Sequence, residues 1–197
     1  MEDRIRLSIT DGIADVRLNR ADKMNALDPA MLKAIADTGA RLKQNTSVRA
    51  IVLSGEGRAF CAGLDVEKIA ALTRGESILP FADLTQRTHG IANFVQHIVW
   101  IWREIAIPVI AAVHGLAFGG GFQLALGADL RYVAPGTRLG VIESKWGGRG
   151  PPEAQLCRYS VELPKMPTLA GISIRQVPSW QVRPNGLMRV VGVALID

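Results

Sequence analysis

At 197 residues the chain is long enough for one domain with a real core, and 48% hydrophobic with 21% charged residues is a globular composition. Its net charge of +5 is spread thinly, with six Lys/Arg against three Asp/Glu in residues 148–197 and 17 against 15 before them; without a basic stripe and interleaved aromatics, no nucleic-acid partner is expected. The N-terminus lacks a continuous apolar segment, and the two cysteines, Cys61 and Cys157, lack metal-ligand spacing, so a cytoplasmic protein with no signal peptide, disulfide framework or metal is expected.

In chain order, Ile5–Ile9 and Ile13–Leu18 alternate apolar and polar residues around Asp11-Gly12, which predicts a hairpin with a type I′ turn. A polar loop, "NRADKMNAL", follows. Asp28-Pro29 supplies an N-cap and a first-turn proline for a helix through about Gln44, with Met31, Leu32, Ile35 and Leu42 on one side. "RAIVLSG" predicts a strand ending at Gly55, and "EGRAFCAGLD" a loop leading to a short helix over 65–72. Residues 73–80 are expected as a surface loop and 81–104 as a long, heavily buried helix.

Between Ile105 and Leu130 the only charged residue is Asp129, yet Pro108 and the glycines would break a membrane-spanning helix near its middle, so no membrane segment is expected. The stretch divides instead into a buried strand (107–113), a turn (115–119) and a buried helix (120–126). "DLRYVA" predicts another strand and "TRLGVIESKWG" a strand and loop. Alternating strands and helices through residue 140 imply an α/β fold with a largely parallel sheet. The composition changes near Gly147: six of ten prolines lie in residues 148–197, where only "LAGISIRQV" and "RVVGVALI" hint at strands.

Glycines leading from a strand into a helix present free backbone N–H groups at the positive end of the helix dipole, a setting suited to an anion or a developing oxyanion. A dinucleotide fingerprint is not met, because Gly119 and Gly121 are followed by Leu124 where the third glycine belongs. Neither a Gly-Lys-Ser/Thr phosphate loop nor a G-x-S-x-G elbow occurs. On these residues alone, tight helix–strand packing explains the glycines as well as a site does.

A second loop of similar character, "AFCAGLD" (59–65), taken with "HGLAFGGGFQLALGADLR" (114–131), resembles the enoyl-CoA hydratase/isomerase, or crotonase, superfamily. "NRADKMNAL" (19–27) resembles that family's early CoA-side loop and "GTRLGVIESKWG" (136–147) its catalytic-carboxylate loop. The resemblance implies a crotonase-like ββα spiral core over residues 1–147, acting on acyl-CoA thioesters with no cofactor beyond the coenzyme A of the substrate. It also implies a homo-oligomer, a trimer or hexamer.

What the resemblance implies for the site is that two backbone N–H groups, those of Ala62 and Gly120, grip the thioester oxygen and stabilise an enolate. Ala26, Leu27, Ala62, Gly63, Leu64, Asp65, Gly119, Gly120 and Gln123 would meet the substrate. The family's hydratases use two glutamates; here the first position is Gln123 and the second Glu143. An amide holds water but exchanges no proton with it, so Glu143 is the candidate base and acid. One carboxylate suffices to move a proton along an allylic thioester, which favours 3-enoyl-CoA to 2-enoyl-CoA isomerisation over hydration.

Lys23, Arg58 and Lys68 stand near the loops expected to meet CoA phosphates, while His114, Cys61, Trp100 and Trp102 read as packing residues and Asp65 as a helix cap. After Gly147, "GRGPPEAQLCRYSVELPKMP" departs from the resemblance, and the family's C-terminal helical segment is not recognised, so residues 148–197 are expected as a divergent tail. The competing expectation is a non-catalytic remnant that binds CoA or assembles with full-length relatives.

Overall fold

The computed structural model describes residues 3–65 and 85–140, together with the backbone of three short strands between 179 and 195. The hairpin forms as its pattern predicts. β1 (Ile5–Thr10) and β2 (Ile13–Leu18) pair antiparallel, and Asp11 (φ 51°) and Gly12 (φ 77°) are both left-handed, as a type I′ turn requires. α1 (Pro29–Lys43) starts where Asp28 accepts the Met31 N–H at 2.7 Å, with proline in the first turn.

β3 (Ala50–Gly55), β4 (Val109–Val113) and β6 (Leu130–Val133) continue the sheet in parallel, β2–β3–β4–β6. Register puts the apolar positions in rows: Ala14, Ile51 and Val109 lie side by side, as do Val16, Leu53 and Ala111. All six are fully buried. Against this face pack α1, through Met31, Leu32 and Ile35, and α2 (Phe94–Glu104), through Ile98, Ile101 and Trp102. Burying a side chain of this size is worth about 1.5–3 kcal/mol, so these rows hold the scaffold.

Three boundaries differ from expectation. The long helix expected over 81–104 begins at Phe94, because Asn93 accepts the Gln96 N–H and the Gln96 side chain returns to the Asn93 N–H. That reciprocal box stops the helix, and His89 and Ala92 pair in a turn before it. The strand expected from Ile107 starts at Val109, after the proline that lacks a ladder donor. The turn expected over 115–119 contains a strand, β5 (Leu116–Phe118), parallel to β7 (Arg138–Gly140). Its carbonyl and amide need partners, and Cys61 supplies both: its N–H donates to Leu116 O, and its carbonyl accepts the Phe118 N–H.

α3 (Gly120–Gly127) follows β5 directly, as the glycine segment predicts. β8 (Ser179–Val182) and β9 (Met188–Val191) pair antiparallel, and β10 (Val193–Leu195) lies parallel to β6, so the end of the chain joins the main sheet. β9 and β10 fall in "RVVGVALI"; β8 falls where no pattern was legible. The helix expected over 65–72, the loop over 73–80 and the "LAGISIRQV" strand lie outside the described residues, but for Asp65. Among the described residues no helix is long and apolar enough to cross a membrane.

Candidate active site

Three segments meet where β5 runs into α3. The loop after β2 is fixed by Asn25, left-handed at φ 56° and fully buried. Its side chain accepts the Arg20 N–H and donates to the carbonyls of Glu56 and Ala59, and its own carbonyl accepts the Cys61 thiol. Satisfying every polar group in this way lets an asparagine sit in a core. Arg20, half-covered by the same loop, donates to Ala26 O and pairs with the buried Asp65 at 2.7 Å. Asp65 is thus a partner of the first loop.

With the loop held there, Leu27 and Leu64 form a parallel bridge: the Leu27 N–H donates to Gly63 O and the Asp65 N–H to Leu27 O. Gly63 has φ 88°, and a Cβ there would meet Phe118 O at 2.6 Å and the Gly120 nitrogen at 3.6 Å. Only glycine allows that approach. Gly119 (φ 48°, ψ −121°) is likewise in a region reserved for glycine; it caps α3 without a side chain and gives its N–H to Gly140 O. Leu27 leans over Gly120, its Cδ1 3.0 Å from where a Cβ would stand. Ala26, Leu27, Gly63, Leu64, Asp65, Gly119 and Gly120 are therefore brought together.

One assignment is corrected. The Ala62 N–H donates to Met24 O at 2.9 Å and is already used inside the protein. The Leu64 and Gly120 amides donate no hydrogen bond among the described residues, and Gly120 opens α3 at the positive end of its dipole. The left-handed Gly63 stands between the Ala62 amide, which is turned to Met24 O, and that of Leu64. Leu64 is 41% exposed.

Gln123 lies half-buried one turn into α3, its N–H on Gly119 O at 3.0 Å. Glu143 and Lys68 lie outside the described residues. Lys23 and Arg58 are exposed. His114 is half-buried, its Nε2 2.9 Å from Gly57 O, and Trp102 is fully buried with Trp100 beside it in α2. Cys61 is fully buried and, through that burial, its thiol is pushed up to about 12, the Gly63 N–H opposing weakly. It is a packing residue and no nucleophile. Among the described residues no group of three or more His, Cys, Asp and Glu is placed to hold a metal ion.

Two glycine-turned loops thus meet where β5 runs into α3. Residues 8–156 match the family described as enoyl-CoA hydratase/isomerase, and the chain belongs to it, with a crotonase-like α/β fold. It is 33% identical over 147 residues to the hydroxycinnamoyl-CoA hydratase-lyase of Pseudomonas fluorescens, covering 73% of this chain and 50% of that protein. With the (E)-benzylidenesuccinyl-CoA hydratase of Thauera aromatica it shares 32% over 151 residues, covering 72% and 51%. The crystal structure of an enoyl-CoA hydratase from Mycobacterium smegmatis superposes with a TM-score of 0.62 at 29% identity, covering 74% of this chain and 53% of that one. The chain spans about half the length of these relatives.

Proposed function

We propose that this chain binds acyl-CoA thioesters and that the amides of Leu64 and Gly120 form an oxyanion hole for the thioester enolate. The observation that carries the reading is the approach of Gly63 to the Gly120 nitrogen, with two amides beside it that donate no hydrogen bond among the described residues. A donor of this kind acts where charge develops and is worth about 3 kcal/mol of barrier. Leu27, hydrogen-bonded along Gly63–Asp65, and Ala26 beside it form the adjoining wall for the substrate.

The reaction we favour is proton transfer along an allylic thioester, from 3-enoyl-CoA to 2-enoyl-CoA. Gln123 supports it, since an amide at that place donates and accepts hydrogen bonds but moves no proton. Glu143 is then the single base and acid. The protein's own relatives include hydratases, so hydration is the competing activity. A second reading, binding without turnover, draws on residues 157–197, which lie beyond the family match.

Thermal unfolding with an acyl-CoA and with free CoA tests the binding. A ligand at 100 times its Kd stabilises the native state by about 2.7 kcal/mol, a readily visible rise in Tm. No rise with millimolar acyl-CoA contradicts the proposal; a rise without any turnover leaves the binding-only reading.

A further inference from the structure

α3 is a poor helix by its own composition. It has eight residues, opens on two glycines, closes on a third and lacks a side-chain N-cap. Such a segment does not hold its shape unaided. Phe122, Leu124 and Ala125 bury one side of it. What holds its far end is a cation.

Arg131 lies on β6 with its side chain on the core face, only 3% of the residue exposed. Its Nη1 donates to Ala128 O at 2.5 Å and to Ala125 O and Leu126 O at 3.3 Å, and its Nη2 to Asp129 O at 3.3 Å. Ala125 O and Leu126 O belong to the last turn of α3, where a helix runs out of backbone donors, Ala125 O also accepting the Ala128 N–H at 3.3 Å; Ala128 O and Asp129 O follow directly after it. A positive charge at that terminus also complements the helix dipole. Burial lowers the guanidinium to about 10, with Arg103 adding to the shift and Asp129 opposing it, so it stays charged at neutral pH. Asp129 is itself fixed, accepting from Arg103 Nη1 and from the Val109 N–H on β4.

We infer that Arg131 is a positioning residue for the oxyanion hole: by clamping the C-terminal carbonyls of α3 to β6, it sets where the helix places the Gly120 amide relative to Leu64. This rests on the thioester reading above. The helix is only about 12 Å long at 1.5 Å per residue, so play at its last turn reaches its first. A misplacement of about 1 Å in a catalytic constellation costs about 10²-fold in rate.

The test uses the full chain with Arg131→Met, which keeps the stem and removes the donors, and Arg131→Lys, which keeps the charge. The probe is a 2-enoyl-CoA conjugated to an aryl ring, whose long-wavelength absorption moves to the red when its carbonyl oxygen accepts strong hydrogen bonds. Wild type is expected to bind it with a red shift. Arg131→Met, folded at the assay temperature, is expected to bind free CoA within threefold of wild type, to lose at least half the shift, and to isomerise a 3-enoyl-CoA about 10²-fold more slowly with KM little changed. Arg131→Lys is expected to recover part of both, and it carries the test alone if the Met variant does not fold. A red shift and kcat unchanged in the folded variants overturn the inference alone, as does an equal loss of free CoA and thioester binding, which is a merely structural effect. Absence of any shift in wild type overturns the thioester reading and this inference with it.

Discussion

At the residue scale, the site depends on backbone that only glycine permits and on polar groups satisfied inside the core. Gly63→Ala sets a Cβ 2.6 Å from Phe118 O at a left-handed φ. We expect about 1–3 kcal/mol of lost stability, read from a denaturant midpoint. We also expect about a 10²-fold loss of turnover in whatever folds; unchanged turnover would separate Gly63 from the site. Cys61 gives a pH signature. Its folded thiol, raised by burial to about 12 from an ordinary 9, favours the protonated form, so its contribution is intact below pH 9 and is lost as pH rises toward 12. Unfolding midpoints for wild type and Cys61→Ala should therefore converge across that range, and parallel curves would contradict the buried thiol. For the chemistry, Glu143→Gln should abolish isomerisation, a loss of about 10²–10⁴-fold, while thioester binding survives; Gln123→Glu should raise hydration of a 2-enoyl-CoA. Wild-type hydration that exceeds isomerisation and persists in Glu143→Gln would contradict a single-carboxylate mechanism.

At the element scale, ends were legible wherever a side chain marks them. Asp28-Pro29 announced α1, and Asp11-Gly12 announced the hairpin. Asn93 with Gln96 three residues on is the same kind of signal for α2, yet the apolar crowding of 91–102 drew the expected helix far upstream of it. Asn93→Ala removes that cap and should cost about 1 kcal/mol in denaturant unfolding, with the m-value unchanged. No measurable cost would mean that tertiary packing alone sets the helix start. β5 was not legible, because its three residues are a strand only by virtue of Cys61 and β7, far away in sequence. Arg131 left a fainter trace: one cation in the apolar strand "LRYV", alternating onto the face where only apolar residues were expected.

At the scale of the whole molecule, a largely parallel sheet was readable from the alternation of strands and helices, though its order β2–β3–β4–β6 was not; the parallel strands carry both glycine loops to one end of the sheet. The glycine-rich segment was recognised as a site only by its company with "AFCAGLD", since either loop alone is equally a packing device. Which amide of that loop faces outward was beyond the sequence: it depends on the left-handed turn at Gly63 and on Met24 O having taken Ala62. The central claim is that the Leu64 and Gly120 amides together bind a thioester oxygen, and it is tested most directly on that carbonyl itself. Isotope-edited difference infrared spectroscopy of an acyl-CoA labelled with ¹³C at the thioester carbon reads its stretching frequency free and bound. Two backbone donors predict a clear shift to lower frequency on binding, reduced in Gly63→Ala. A bound thioester whose carbonyl frequency stays at its value in water would contradict the account.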